Sequence, residues 1–220
     1  MRCLIVTGDD FGASRGVNRG IVQAARHGIL TSASLMVNRP ASADAAMVSR
    51  ECPAVSLGLH LELEPDAHRG TLAELERQLG RFLELTGDTP THVDSHHDVH
   101  RDPRVLPHVL RWAEEAGLPV RGHSAARHVS RFYGRHHIGV DEFVRLLDTA
   151  VSEGVTELSC HPGYVDSELR SSYAAPREVE VRTLCDEEVR RAIGERGIRL
   201  IGFRDLPTLD ARSSGVGGRA

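Results

Sequence analysis

The chain has 220 residues, of which 31 are acidic and 27 basic, so its net charge is -4 with the histidines neutral. This length suits one domain of α/β-barrel size that buries a sizeable core without disulfides or metal staples. The slightly acidic balance gives no electrostatic reason to expect a nucleic-acid partner.

Four cysteines lie far apart in the chain and lack the C-x-x-C spacing of metal or redox sites: Cys3, Cys52, Cys160 and Cys185. Their neighbours are mostly apolar or helical, which indicates reduced thiols and a cytoplasmic protein. The apolar run at the N-terminus covers only residues 3–6, which is too short for a signal peptide or a membrane span. We therefore expect no membrane partner.

Strand and helix patterns alternate along the chain. Apolar runs predict strands at residues 3–7, 32–37, 55–60, 92–94, 119–121, 155–160 and 198–203. Amphipathic spacing predicts helices at residues 14–27, 42–49, 71–85, 103–116, 141–152 and 186–196. Strands separated by helices indicate an α/β fold with a parallel sheet and right-handed crossovers.

Seven strands fit either a (β/α) barrel or an open, doubly wound sheet. We favour a distorted or incomplete barrel. Residues 1–208 are expected to form a single catalytic domain. The last residues, 209–220, have almost nothing to bury, so we expect a flexible tail there.

Titratable side chains follow five of the predicted strands directly. The residues at these strand ends are Asp9 and Asp10, His60, the cluster around His96, Arg121 with His123, and His161. Because the carboxyl ends of parallel strands meet at one rim, these side chains should converge on a single site.

The stretch 91–100, THVDSHHDVH, is the densest of these groups. It contains four imidazoles and two carboxylates: His92, His96, His97, His100, Asp94 and Asp98. Imidazole is the commonest protein ligand for first-row metals, so the cluster favours a metal site. The alternative is a solvated polar turn before the next helix.

A divalent ion held by one carboxylate and two imidazoles keeps open positions for water and substrate, as catalytic sites require. A second carboxylate could then take a proton from water, and a histidine could protonate a leaving group. The adjacent Asp9 and Asp10, together with His161, offer these groups. The alternative for the aspartate pair is an N-cap for the following helix, although Ser14 can already supply that cap.

Several segments, in this order, resemble the YdjC/ChbG family of carbohydrate deacetylases. They are TGDDFG (7–12), GILTSASLMVN (28–38), GLHLEL (58–63), THVDSHHDVH (91–100), RFYG (131–134) and ELSCHPGY (157–164). Members of this family are metal-dependent hydrolases that remove acetyl groups from N-acetylated sugars. The resemblance covers nearly the whole chain, and it implies a barrel like that of the polysaccharide (NodB-like) deacetylases.

By position, the resemblance implies that Asp10, His60 and His96 are the metal ligands. Asp9 becomes the expected general base and His161 the expected general acid. The leading hypothesis is therefore hydrolysis of an acetamido sugar, oligosaccharide or glycoconjugate. The alternatives are metal-dependent hydrolysis of another bond, such as an ester, a phosphoester or a non-sugar amide, and a catalytically silent sugar-binding homologue.

Two further expectations come from the resemblance. Arg121 aligns with a family arginine that could orient a catalytic carboxylate or hold substrate. The family also implies Mg²⁺, but two imidazoles and a carboxylate better suit Zn²⁺, Mn²⁺, Co²⁺ or Ni²⁺. We expect a divalent cation and leave its identity open.

The chain departs from the family pattern in three ways, the first of which is that Thr7 and Gly8 replace Asn-Ala before the acidic pair. Asp98 replaces a third consecutive histidine, which could change the surroundings of the ligands. The span from residue 60 to residue 91 is shorter than in relatives that act on chitooligosaccharides. This predicts a more open or differently shaped cleft and leaves chitobiose in doubt as the substrate.

Residues 122–139 are predicted to form a long loop, which is uncommon unless the loop is a lid or a binding loop. Phe132 or Tyr133 is expected to offer an apolar face to a sugar ring or to a neighbouring subunit of a homo-oligomer. The alternative is a packing anchor for the loop. Tyr164, which ends the ELSCHPGY segment, is a further candidate for substrate binding.

Overall fold

A computed structural model of the chain describes residues 1–64, 71–169 and 171–206. The strands are β1 (Arg2–Phe11), β2 (Ser32–Leu35), β3 (Ser56–Leu61), β4 (Val93–Ser95), β5 (Ala126–Val129), β6 (Gly154–Cys160) and β7 (Arg199–Leu200). The helices are α1 (Arg15–His27), α2 (Ser42–Ser49), α3 (Thr71–Thr86), α4 (Leu106–Glu115), α5 (Val140–Thr149), α6 (Ala174–Leu184) and α7 (Glu187–Glu195). Short 3-10 helices cover His96–Arg101 and Phe203–Asp205.

The strands form one parallel sheet in the order β4-β3-β2-β1-β6-β5, and β7 pairs with the start of β1. The central strand β1 is the longest and nearly all of it is buried. Helices cover the sheet, and their apolar faces share a continuous core with it, to which Leu4 and Val6 of β1, Ile21 of α1 and Trp112 of α4 belong. The α/β class predicted from the sequence is confirmed.

The contacts of one side chain show that the sheet is strongly curled. Strands β4 and β6 are four positions apart in the sheet, which would separate them by about 19 Å if the sheet were flat. Yet the guanidinium of Arg121 lies 2.6 Å from Asp94 on β4 and 2.9 Å from Glu157 on β6. One side chain cannot bridge both strands of a flat sheet, so the incomplete barrel is confirmed and the open, doubly wound sheet is excluded.

The region after β4 differs from the sequence prediction. Residues 119–121 were expected to be a strand, but only an isolated bridge joins Val120 to Val93. The fifth strand lies instead at Ala126–Val129, inside the predicted 122–139 loop. Its two end residues are buried while the polar Arg127 and His128 stand between them, so the segment lacks the apolar run that marks other strands.

Helix α6 was not predicted, and its composition explains why. Its buried face is largely polar and includes Arg177, Glu180 and Thr183. A helix of this kind gives no apolar stripe at helical spacing. Pro176 near its start also reads as a helix breaker, although proline is tolerated in the first turn.

The end of the predicted domain, at residue 208, and the predicted tail, residues 209–220, lie outside the described residues. Within the described ranges, no helix combines the length and the apolar content needed to cross a membrane.

His92, one of the four histidines in the 91–100 stretch, is part of the structural core. Its ring stacks on Phe203 with a centroid distance of 3.9 Å. Its Nδ1 lies 2.9 Å from the Thr91 hydroxyl, and its Nε2 lies 3.3 Å from the Ser34 hydroxyl. Because the ring is completely buried, the pKa of His92 is lowered to about 4.

This lowered pKa predicts a loss of stability in mild acid. Between pH 6.5 and pH 4 the unfolded chain binds a proton at His92 that the folded chain does not, so stability falls as the pH falls, by up to about 3 kcal/mol from this residue. Burial also lowers the pKa of His128 to about 4. His92→Gln should therefore remove about half of the combined effect.

Urea unfolding midpoints measured from pH 7 to pH 4 at constant ionic strength check this expectation. The variant His108→Gln, which changes an exposed histidine, is the control and should keep the wild-type pH dependence. Parallel pH curves for His92→Gln and the wild type would contradict the prediction.

Candidate active site

A cleft of about 860 Å³ opens at the carboxyl ends of the strands. Its lining includes all six residues that the sequence placed at one rim with catalytic or ligand roles: Asp9, Asp10, His60, His96, Arg121 and His161. These residues come from β1, from β3, from the segments after β4 and from the end of β6. The expectation that these side chains converge on one cleft is therefore confirmed.

Asp10, His60 and His96 form a compact set of potential metal ligands. One ligand atom from each lies within 4.8 Å of the others. Oδ1 of Asp10 is 3.3 Å from Nε2 of His60 and 3.0 Å from Nδ1 of His96. Nε2 of His60 is buried and has no hydrogen-bond partner among the described residues. The imidazole nitrogen of His60 is thus buried, lacks a hydrogen-bond partner in the part of the chain that the structure describes, and lies beside the carboxylate of Asp10. These are the properties expected of a ligand atom in a cation site.

The orientation of His60 is set by Asp94. Nδ1 of His60 lies 2.7 Å from Oδ1 of Asp94, so we assign the proton of that bond to Nδ1, because a carboxylate can only accept. Nε2 is thereby left to face the site, in the carboxylate–histidine–metal arrangement common to protein metal centres. Burial lowers the pKa of His60, but Asp94 and Asp10 outweigh burial and raise that pKa to about 10. A cation that binds at Nε2 must therefore displace a proton.

Asp10 reaches the cleft through an irregular backbone. Adjacent residues of a regular strand point to opposite faces, yet both Asp9 and Asp10 line the cleft. The pairing of β1 with β2 shifts register between Gly8 and Phe11, and Asp10 has a left-handed φ of 65°. This irregularity turns both carboxylates to the same side.

The carboxylate of Asp10 lies among positive partners. Its second oxygen, Oδ2, accepts a hydrogen bond from the guanidinium of Arg177. Burial favours the neutral acid, but the imidazoles of His60 and His96 and the charge of Arg177 hold the pKa of Asp10 well below its usual range. Asp10 is thus ionised and keeps Oδ1 directed at the two histidines.

Arg121 holds Asp9 by both carboxylate oxygens. Its NH1 and NH2 groups each lie 2.7 Å from one oxygen of Asp9, and its Nε lies 2.9 Å from Glu157. The Arg121 residue is only 1% exposed. Of the two roles expected for it, the geometry favours orienting a carboxylate, because the guanidinium is already used on protein groups.

Asp9, His60 and Asp94 form a second set of potential ligand atoms within 4.8 Å of one another. Both carboxylates of this set are paired with the guanidinium of Arg121. A second cation there would face a fixed positive charge at hydrogen-bond distance. The set containing Asp10 is therefore the better cation site.

His161 stands on the other side of Asp9. Its Nε2 is 3.9 Å from Oδ2 of Asp9, and its side chain is 22% exposed to the cleft. Burial lowers the pKa of His161, partly offset by Asp9 and Asp10. When protonated, this imidazole is a stronger acid than an exposed histidine.

The other histidines of the 91–100 stretch do not join the ligand set. His92 packs in the core, and His100 is buried with its ring between Ser95 and the carbonyl of Arg121. His97 stacks on His96 at a centroid distance of 3.8 Å and lies at the edge of the cleft. Composition alone could not separate these roles.

The aromatic residues predicted to bind substrate differ in their exposure and in their position relative to the cleft. Tyr133 is 51% exposed and lines the cleft. The interpretation of Phe132 as a sugar-binding face is wrong, because this residue is completely buried and packs edge-on against Phe143. Tyr164 is not among the described residues that line the cleft, and its backbone N–H donates to the carbonyl of Gly16.

Three site residues were missed because helix α6 was missed. Arg177 lies on this helix and contacts Asp10, and Glu180, one turn later, accepts a hydrogen bond from the backbone N–H of His161. Tyr173, immediately before the helix, lines the cleft beside Tyr133. The sequence signal was the spacing of Arg177 and Glu180, which places both on one helix face.

Comparisons with known proteins show which family this chain resembles along its length. The sequence profile of the family described as YdjC-like protein matches residues 3–72 and 66–195. The chitooligosaccharide deacetylase of Salmonella typhimurium (strain LT2) is 36% identical over 251 aligned positions, covering 93% of this chain and 99% of the relative. The carbohydrate deacetylase of Geobacillus stearothermophilus is also 36% identical, over 242 positions that cover 93% of this chain and 98% of the relative.

Solved structures share the fold. A putative cellobiose-phosphate cleavage protein from Enterococcus faecalis V583 matches with a TM-score of 0.83 and 30% identity, covering 93% of this chain and 98% of that one. A family 4 acetyl xylan esterase from Clostridium thermocellum matches with a TM-score of 0.62 and 13% identity, covering 96% and 92%. At that identity the likeness concerns the fold alone, and it confirms the predicted NodB-like barrel. With a profile match over most of its length and relatives at 36% identity, the chain belongs to the family of YdjC-like proteins.

Proposed function

We propose that this protein is a metal-dependent hydrolase that removes the N-acetyl group from an acetamido sugar, a small oligosaccharide or a glycoconjugate. One observation carries the proposal: the ligand atoms of Asp10, His60 and His96 lie within 4.8 Å of one another, in the cleft that also contains Asp9 and His161. The names of the Salmonella and Geobacillus relatives, both sugar deacetylases, support the same reaction.

The metal ligands in this proposal are Asp10, His60 and His96. A divalent ion held there would polarise the acetyl carbonyl and make a water molecule more acidic. Mg²⁺ is the ion associated with the family, whereas the two imidazoles suit Zn²⁺, Mn²⁺, Co²⁺ or Ni²⁺ better. We therefore propose a divalent cation, to be identified by metal reconstitution.

Asp9 and His161 carry the proton transfers. Arg121 fixes the plane of the Asp9 carboxylate, whose oxygens keep lone pairs that can take a proton from the attacking water. Nε2 of His161, 3.9 Å from Asp9, then gives a proton to the sugar nitrogen as its bond to the acetyl carbon breaks. One water is consumed, and the products are acetate and an amino sugar.

We further propose that residues 1–208 act as one catalytic domain, because strands from both halves of the chain contribute to the cleft. Tyr133 is proposed to contact the sugar, since aromatic faces suit the apolar faces of sugar rings. Four unpaired cysteines support a cytoplasmic location. A homo-oligomer stays a prediction from the sequence.

A second candidate keeps the metal and changes the bond that is cleaved. The Enterococcus protein with a TM-score of 0.83 is described as a putative cellobiose-phosphate cleavage protein. A phosphoester or an ester of a sugar is therefore the alternative substrate class, and the same ligand set could serve it.

Acetate release separates these candidates. Purified protein, treated with a chelator and reloaded with each of the five metals, is incubated with N-acetylated mono- and oligosaccharides, O-acetylated sugars and sugar phosphates. We expect acetate and a free amine only from N-acetylated sugars, and only with metal. Phosphate release, or acetate from O-acetyl esters alone, would favour the second candidate.

Asp9→Asn tests the assignment of the base. The amide keeps one oxygen for Arg121 but cannot take a proton, so turnover should fall by about 100- to 10,000-fold. Metal content, measured by elemental analysis, should stay near that of the wild type. The matched control is Asp148→Asn, which removes a surface carboxylate that is also held by an arginine fork. Full activity in Asp9→Asn would overturn the assignment.

Asp94→Asn tests the support of His60. The neutral amide no longer holds Nδ1–H of His60 by charge, so metal affinity should fall by about 10- to 100-fold. Titration of the metal-free protein against a competing chelator measures this change. An affinity equal to that of the Asp148→Asn control would show that Asp94 does not prepare the ligand.

A further inference from the structure

The inner face of helix α6 carries a carboxylate that the proposed reaction does not use. Glu180 is completely buried, and one of its oxygens, Oε2, accepts a hydrogen bond from the backbone N–H of His161. Its other oxygen, Oε1, accepts a hydrogen bond of 2.6 Å from the hydroxyl of Tyr173. Glu180 thus binds the backbone of His161, the proposed proton donor, and leaves the His161 imidazole free to face the cleft.

Tyr173 connects Glu180 to the segment of the cleft that carries Tyr133 and Gly134. Its hydroxyl oxygen accepts a hydrogen bond of 2.9 Å from the backbone N–H of Gly134. Its ring is stacked on Tyr133, with a centroid distance of 4.3 Å and an angle of 8° between the planes. Tyr133 in turn lies edge-on to His161, at 5.3 Å.

These contacts join three segments that are far apart in the chain. Helix α6 supplies Glu180, the segment after β6 supplies His161, and the segment between β5 and α5 supplies Tyr133. Burial raises the pKa of Glu180 to about 8, because the ionised carboxylate is disfavoured at this position. Its hydrogen bonds to Tyr173 and His161 offset part of this cost.

We propose that Glu180 and Tyr173 are positioning residues that hold His161 and Tyr133 in fixed relation to each other across the cleft. The inference rests on the proposed function, because it takes His161 as the proton donor and Tyr133 as part of the sugar site. In this arrangement one hydrogen-bonded pair, Glu180 and Tyr173, sets both the site of proton delivery and the wall against which the sugar lies.

The rate of the reaction depends on the exact position of the reacting groups. A displacement of about 1 Å in a reacting group can lower turnover by about 100-fold. Glu180→Ala would release the backbone of His161. Tyr173→Phe keeps the ring stacked on Tyr133 but removes the hydroxyl that serves both Gly134 and Glu180.

The experiment compares four variants of the metal-loaded full-length protein. Glu180→Gln is the conservative variant, because its amide oxygen still accepts the N–H of His161, and its amide nitrogen donates to the hydroxyl oxygen of Tyr173 in place of accepting from it. Glu178→Ala is the matched control: Glu178 lies on the same helix and also accepts a backbone N–H, that of Val165. Steady-state kinetics, metal content and amide hydrogen exchange are measured for Glu180→Ala, Tyr173→Phe and these two.

We expect Glu180→Ala to lower kcat by about 10- to 100-fold while metal content stays unchanged. Glu180→Gln should recover most of that loss, and Tyr173→Phe should raise KM because the support of the Tyr133 segment is weakened. Amide exchange should become faster around residues 134 and 161 in Glu180→Ala and Tyr173→Phe. Glu178→Ala should match the wild type at these positions and in turnover.

Wild-type kcat or unchanged exchange near residue 161 in Glu180→Ala would overturn the inference. Equal losses in Glu180→Gln and Glu180→Ala would also overturn it, since the charge rather than the position would then matter. If the wild type released no acetate from any N-acetylated sugar, the proposed function would fail. The exchange measurement would still decide whether Glu180 and Tyr173 fix the two segments.

Discussion

The buried guanidinium of Arg121 is the interaction on which the rest of the site depends. It contacts carboxylates from three strands: Asp9 on β1, Asp94 on β4 and Glu157 on β6. Without this cation, three acids would meet in a closed interior, where like charges strongly disfavour ionisation. The guanidinium offsets this repulsion in part. The pKa of Asp94 is lowered despite its burial, whereas burial still raises the pKa of Glu157 to about 7. A lysine could not replace it, because a single ammonium lacks the planar fork that serves several carboxylates at once.

The same cation links structure to chemistry through Asp94. One oxygen of Asp94 is 2.6 Å from Arg121 and the other is 2.7 Å from His60, so the arginine that bridges β4 and β6 also helps to orient a proposed ligand. Backbone irregularity is concentrated in the same region. Among the described residues, the non-glycine residues with positive φ are Asp10, His97 and Asp98, and each lines the cleft. Such conformations cost about 1–3 kcal/mol each and persist where surrounding contacts over-determine them.

The sequence predicted the floor of the cleft, whose residues lie on or just after the strands, better than its walls, whose residues lie on the connecting segments and on helix α6. Parallel strands bring their carboxyl ends to one rim, so a list of polar strand ends was enough to bring together Asp9, Asp10, His60, His96 and His161. It could not reveal helix α6, whose inward face is polar because it supports the site. It also could not distinguish a core residue such as Phe132 from an exposed one such as Tyr133, because burial of adjacent loop residues depends on the path of the loop.

The difference between the floor and the walls of the cleft bears on substrate specificity. The floor consists of buried or half-buried side chains on the strands or directly after them, whereas the walls come from connecting segments that carry Arg39, His97, Tyr133 and Ser172. Connections vary more readily than buried networks, so members of one family can share the floor and differ in the sugar they accept. The family profile matches this chain in two parts that overlap at residues 66–72, between β3 and the first turn of α3. In the proposed reaction the floor supplies the reacting groups, and the identity of the sugar has to be sought in the segments after β2, β4, β5 and β6.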